Sequence, residues 1–150
     1  RPQLMDRFGL SVDVLSSANI DERIEVIKRR DAYENDHEAF IAHWQSEDAT
    51  LRARIVAARA ALADLQTPDS ALRRVAELCI ALGSDGLRGE LTLLKAARAF
   101  AAFAGDATVT DDHIRKTAVL ALRHRLRRDP LDDSGSSSRV ARTISEILGH

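Results

Sequence analysis

The stretch Ser84-Asp85-Gly86-Leu87-Arg88-Gly89-Glu90 gathers the residues best suited to meet an anion. The apolar spacing predicts a helix from about Gly86 to Ala104, which puts Arg88 in its first turn. A cation there opposes the positive end of the helix dipole, at a cost of about a few tenths of a kcal/mol or more. Gly86 and Gly89 flank it, and a glycine in a helix interior costs about 1 kcal/mol relative to alanine. Together these unfavourable choices fit a site where backbone and guanidinium approach a phosphate or carboxylate. The competing reading is a structural arginine paired with Asp85, and the local sequence does not separate the two.

Arg7, in RPQLMDRFG, offers a similar choice. Beside Asp6 it reads as a solvated or ion-paired residue. Its alternative role is an arginine supplied to a neighbouring subunit's phosphate, stabilising the charge that develops in phosphoryl transfer. The densest basic run is Arg123-His124-Arg125-Leu126-Arg127-Arg128. Cations at a helix C-terminus complement the dipole, so this run needs no ligand to explain it. An acidic partner or a neighbouring subunit is favoured over nucleic acid as its counterpart.

Other chemistries find no support. No GxxxxGK[ST] loop cradles phosphate, and no Cys–His spacing points to zinc. The histidines are scattered and read as ordinary surface residues. His113 and His124 share a predicted helix face but lie about three turns apart, too far to ligate one ion. Cys79, the single cysteine, sits in the apolar run Ala76 to Leu82 and reads as a reduced, buried, small hydrophobe. The chain therefore holds no complete active site of its own.

The elements that must position these residues are almost all helical. Phe8 to Leu15 (FGLSVDVL) alternates as a strand, expected to pair with a sheet outside this chain rather than to lie as a tail on the helices. Asn19 with Glu22 fits a capping box opening a helix with Ile20, Ile24 and Ile27 on one face. A short helix from about Asp36 to Trp44 is expected next, then a longer one capped by Ser46 that carries Leu51, Ile55, Ala58, Leu62 and Leu65. Thr67-Pro68 starts a helix that runs to about Leu82 and stops at Gly83. The helix bearing Arg88 presents Leu87, Leu91, Leu94, Phe100 and Phe103. Thr110 caps another, with Ile114, Ala118, Ala121 and Leu122 inward. After the polar segment Asp129 to Ser138, a last helix sets Val140, Ile144, Ile147 and Leu148 on one side. Short links favour a compact, mainly α bundle.

Bulk properties agree. Of 150 residues, 45% are hydrophobic and 30% charged, a globular balance rather than a disordered one. Lys and Arg number 22 against 23 Asp and Glu, a net charge of −1, so no basic excess recommends nucleic acid or an anionic membrane. No run approaches the roughly 18 apolar residues of a membrane span, and no signal peptide opens the chain. The opening Arg1, in place of Met, reads as a piece of a longer protein.

These segments carry a resemblance. RPQLMDRFGLSVDV resembles the end of an AAA+ ATPase core, where a DRFG-type motif holds an arginine finger. SDGLRGELTLLKAARAFAAFAGDATVTDDHIRKTAVLALRHRL resembles the helical lid of the AAA+ branch shared by MoxR-type ATPases and metal chelatases. RRDAYENDHEAFIAHWQ with LRARIVAAR, and LRHRLRRDPLDDSGSSSRVARTISEIL, are similar to the insertion and the C-terminal end of small ATPase subunits of magnesium chelatases.

The resemblance implies an organisation and a set of roles. Residues 1–15 would close the α/β core, 16–66 connect and carry the insertion, and 67–150 form the lid. Arg7 matches the arginine finger acting in trans, Asp6 the acidic residue that orients it, and Arg88 the sensor-2 arginine. Whether Arg88 serves its own subunit or a neighbour stays open, because the lid of this family sits unusually relative to its core. ATP and Mg2+ would bind through a core domain upstream of Arg1, so the fragment alone is expected to be inactive, with no cofactor of its own. The expected partners are other copies of the same subunit in a ring, a second AAA+-like chelatase subunit and, indirectly, a large porphyrin-binding subunit. Neither nucleic acid nor membrane is expected. The implied activity is that of a ligase: ATP hydrolysis coupled to insertion of Mg2+ into protoporphyrin IX for (bacterio)chlorophyll. The implied compartment is bacterial cytoplasm, or alternatively plastid stroma. The alternative function is the lid of a MoxR-like AAA+ chaperone, against which the insertion and the RRDPLDD segment argue.

Overall fold

Asp36 divides the first helices. Its backbone is extended, with φ −150° and ψ 92°, so it ends one helix, and its carboxylate accepts the Ala39 amide at 2.9 Å to begin the next. In the computed structural model the described residues are 7–84, 86–126 and 136–149. They form helices α1 (Ile20–Asn35), α2 (His37–Ala61), α3 (Asp69–Ala81), α4 (Arg88–Ala104), α5 (Asp111–Leu122) and α6 (Ser136–Leu148). The chain falls into two compact units: one is Asp13–Val56, and the other joins Arg1–Val12 to Ala57–His150.

The Asp13–Val56 unit contains α1 and most of α2. Asn19 caps α1 as expected, its side chain accepting the amides of Asp21 at 2.9 Å and Glu22 at 3.4 Å. The reciprocal half differs from a capping box. Ser17 steps in between, its hydroxyl accepting the Asn19 amide at 3.0 Å and donating to the Glu22 carboxylate. Around the Asp36 break Tyr33 meets Phe40 edge to face at 5.5 Å, and the Arg29 guanidinium lies 4.6 Å from the centre of the Trp44 ring. The expected break near Ser46 does not occur, and α2 is continuous. With no glycine or proline between His37 and Ala61 nothing interrupts the ladder, and Ser46 simply offers its carbonyl to the Thr50 hydroxyl at 2.9 Å. None of the residues of α1 is buried in this structure.

In the other unit α3, α4, α5 and α6 pack as a helical bundle around Leu78, Leu82, Leu93, Ile114, Leu122 and Val140, all essentially inaccessible to solvent. Burying each such side chain is worth about 1.5–3 kcal/mol. The face of α4 differs from the expected one. Leu87 and Leu91 are 73% and 53% exposed, while Leu93, Ala97 and Ala101 are fully buried. The small side chains Ala97 and Ala101 on α4, with Ala118 and Ala121 on α5, fill the seam instead. The faces expected for α5 and for Val140 and Ile144 on α6 are buried.

Turns and staples close the unit. Gly83, at φ 66°, ends α3, and the Ser84 amide returns to the Cys79 carbonyl at 3.0 Å. The start of α3 lies one residue later than expected, with Pro68 just outside the helix. A single parallel bridge joins Gln66 to Thr108, the one β pairing among the described residues. Arg98 ties α4 to the end of α2, donating to Thr67 Oγ1 at 3.1 Å and the Leu62 carbonyl at 2.9 Å. Arg115 on α5 reaches the Leu148 and Gly149 carbonyls at the end of α6, each at 3.2 Å.

The strand expected over 8–15 is not formed. No ladder partner is available among the described residues, and an unpartnered strand has nothing to complete it. Residues 8–11 lie instead against the end of α5, where the Ser11 amide donates to the Leu120 carbonyl at 2.8 Å. That carbonyl belongs to the last turn of α5, whose acceptors have no partner within the helix.

Candidate functional site

Arg88 is the first residue of α4, and the turn before it is made by Gly86 at φ 69°, a conformation that only glycine adopts readily. Gly89 is buried for a packing reason. A Cβ there would fall 2.5 Å from Ser84 Oγ and 3.5 Å from Leu122 Cδ2, so the serine would have to swing away. Both glycines are thus accounted for by the turn and by the contact between α4 and the end of α5. Arg88 itself remains exposed at the positive end of the helix. Leu87 precedes it as the cap residue and makes no side-chain capping bond, so no side-chain acceptor from the cap offsets the terminal amides. Asp85, the competing partner for Arg88, and Asp6, the residue expected to orient Arg7, lie outside the described residues.

Arg7, Gly9, Arg88, Thr92 and Arg125 line one open cavity of about 430 Å³. Arg88 and Thr92 stand one turn apart on α4, Arg125 follows the end of α5, and Arg7 arrives on the segment that rests against that end. The two arginines singled out from the sequence therefore share a wall with a third. Among the described residues that line it none is acidic. Cations gathered on one cavity repel one another, and a bound polyanion reverses the sign of that term. Arginine forks also suit phosphate oxygens geometrically.

The basic run after α5 holds the Arg7 segment. Arg123 donates to Ser11 Oγ from Nε at 3.3 Å and from Nη2 at 3.1 Å. The Phe8 carbonyl receives Arg125 Nη2 at 2.7 Å and lies 3.0 Å from His124 Nε2. Since that oxygen only accepts, His124 donates to it from Nε2, while its Nδ1 is buried with no hydrogen-bond partner. Arg125 Nε is anchored in turn on the Ala121 carbonyl at 3.0 Å. Sequence reasoning assigned this run to dipole complementation, and nothing local could have paired residues 123–125 with residues 8–11.

Two other expectations are settled nearby. His113 is 4% exposed rather than a surface histidine. Its Nδ1 accepts the Thr110 amide at 3.0 Å, its Nε2 meets Asp106 at 2.9 Å, and its ring packs edge-on to Phe100. The position three residues past the cap is usually Glu or Gln, which is why this histidine escaped notice. Cys79 is buried as expected. Burial, with Glu90 nearby, pushes its thiol up to about 12, and Arg125 offsets this only in part. Among the described residues no cluster of His, Cys, Asp and Glu is suited to a metal ion, and no helix is long and apolar enough to cross a membrane.

Residues 72–145 match the AAA lid domain family. The chain is similar to the magnesium-chelatase 38 kDa subunit of Cereibacter sphaeroides, at 62% identity over 99% of this chain and 44% of that protein. It is 56% identical to the subunit of the same name from Rhodobacter capsulatus, over 99% of this chain and 42% of that protein. A solved complex between subunits BchI and BchD of magnesium chelatase contains a chain 49% identical to this one. That match covers 93% of this chain and 42% of that chain, with a TM-score of 0.38. The chain thus spans less than half the length of the curated relatives it matches.

Proposed function

We propose that this chain, which matches the AAA lid domain family over residues 72–145 and is similar to magnesium-chelatase 38 kDa subunits, serves as the lid part of an AAA+ ATPase that drives magnesium chelation. The subunit would form a ring with copies of itself and act with a second AAA+-like subunit. It would couple ATP hydrolysis to insertion of Mg2+ into protoporphyrin IX on a large porphyrin-binding subunit, in the bacterial cytoplasm. ATP and its Mg2+ would be held by a phosphate-loop core outside this chain, because the sequence carries no GxxxxGK[ST] loop and the described residues hold no metal-binding cluster. Arg7 would then be the arginine finger and Arg88 the sensor-2 arginine.

The observation that carries the reading is the shared cavity of Arg7 and Arg88. A finger reaches a neighbour's nucleotide. A second arginine on the same cavity faces the same phosphate group, so Arg88 would also act in trans. The two forks would oppose charge developing on one γ-phosphate, where a finger is worth about 10³-fold or more in rate.

A chimera tests the function directly. The matching segment of the Rhodobacter capsulatus subunit is replaced by this chain, and magnesium protoporphyrin formation is followed with the partner subunits present. Formation at a rate comparable to the parent subunit is expected. A chimera that folds and hydrolyses ATP yet yields no magnesium protoporphyrin would refute the chelatase assignment.

A further inference from the structure

We propose that Arg125 is a positioning residue for Arg7: by clamping the Phe8 carbonyl it holds the Arg7 backbone where the shared cavity needs it. The inference rests on the reading of Arg7 as a finger and adds a residue that reading does not include.

Arg125 bridges two backbone carbonyls through neighbouring nitrogens of its guanidinium. Nε donates to Ala121 O at 3.0 Å, fixing the side chain to the last turn of α5, and Nη2 donates to Phe8 O at 2.7 Å. The Phe8 carbonyl carbon is two peptide-chain bonds from the Phe8 nitrogen, which is itself bonded to Arg7. Moving that carbonyl therefore moves the Arg7 main chain. Residues 7–9 have no helix or ladder of their own to hold them. Residues 120–125 hold this segment through the Leu120 carbonyl on Ser11 N, Arg123 on Ser11 Oγ, and His124 with Arg125 on Phe8 O. Arg125 alone among these also lines the cavity.

The end of α5 also packs on the start of α4, where Leu122 Cδ2 lies against Gly89, the neighbour of Arg88. One structural unit, the end of α5, thus sets both arginines. A shift of the lid would carry Arg7 and Arg88 together, and Arg125 is the link to the first of them.

Misplacing a reacting group by on the order of 1 Å costs up to about 100-fold in rate. In the full-length ATPase subunit, Arg125→Ala should lower kcat for ATP by about tenfold or more with KM within about twofold. Arg125→Lys should recover part of the loss, since one ammonium reaches one of the two carbonyls but not both. The decisive measurement is coupling. In an Arg7→Lys background adding Arg125→Ala should cause little further loss, because a clamp on a displaced finger has nothing left to position. Thermal melts of each variant accompany the rates. If Arg125→Ala does not fold, Ser11→Ala, which removes only the Arg123 anchor, should show the same kcat signature more weakly. Wild-type kcat in a folded Arg125→Ala would overturn the proposal, as would a raised KM at constant kcat or an equally large loss in the Arg7→Lys background. Failure of the underlying reading looks different: Arg7→Ala itself would then hydrolyse ATP like wild type.

Discussion

Arg125 Nη2 donates to the carbonyl of Phe8 at 2.7 Å across 117 positions of sequence, so the residue after Arg7 is held by a residue that lines the same cavity as Arg7. The contact turns a basic run at a helix end into part of a site. Dipole complementation still operates there, but it is the smaller effect, about 0.3–1 kcal/mol for an exposed charge. A hydrogen bond from a charged donor contributes about 1.5–3 kcal/mol. The placement of Arg7 against the bundle thus depends on directed bonds more than on the field of α5.

His113 supplies a stability prediction independent of ATP. His113→Ala deletes the acceptor for the Thr110 amide and the contact with Phe100, leaving a polar group at the start of α5 without its partner. A loss of about 2 kcal/mol is expected, read as a lower denaturant midpoint at constant m-value. His113→Gln restores an acceptor at the third helical position and should lose about half as much. Equal losses in the two variants would show that packing, not capping, is what the histidine provides.

Much of this was legible because caps and glycines are local. Asn19, Gly83 and Thr110 mark helix ends through bonds made within a few residues. The inward face of α5 was legible too, since Ile114, Ala118, Ala121 and Leu122 repeat at helical spacing. The face of α4 was not. Hydrophobicity ranks Leu87 and Leu91 above alanine, yet close approach of α4 and α5 requires the small residues Ala97 and Ala101. At the site, Arg7 and Arg88 announced themselves by motif and by an unfavourable helix position. Arg125 did not, because its partner is the backbone of Phe8, and a carbonyl has no sequence signature. The segment 8–15 misled for the same reason: alternation describes what a strand would bury but not whether a ladder exists.

Cys79 should be chemically silent in the folded chain. With the thiol raised from its ordinary 9.0 to about 12, the protonated form is favoured by folding. That contribution is complete below the unfolded pKa and is lost as pH rises from about 9 towards 12. At pH 8 a disulfide reagent should label the native protein only as fast as it opens, and the denatured protein at once. Labelling of the native chain at the denatured rate would show that the site around Cys79 is open to reagent.

Arg7→Ala should spare ATP binding by the full-length subunit and abolish most of its hydrolysis. Because a finger serves the next subunit, mixing Arg7→Ala subunits that have an intact phosphate loop with subunits that have Arg7 and a dead loop should restore activity. The rate should peak at intermediate ratios. A purely structural Arg7 predicts no rescue at any ratio and a lower melting temperature for the isolated Arg7→Ala subunit.

Arg88 allows the same experiment to decide a question of geometry. An arginine at the first position of α4, on the same cavity as Arg7, should read the same phosphate and hence the neighbour's nucleotide. Arg88→Ala subunits with an intact phosphate loop, mixed with dead-loop subunits that keep Arg88, should then recover activity with the same dependence on ratio. A sensor acting in its own subunit gives the opposite result, because each mixed interface would pair an intact loop with its own missing arginine. The double variant Arg7→Ala/Arg88→Ala sharpens the test. If both arginines face one phosphate across one interface, mixing it with dead-loop subunits rescues as well as either single variant does. If Arg88 works within its own subunit, the single Arg7 variant is rescued and the double is not.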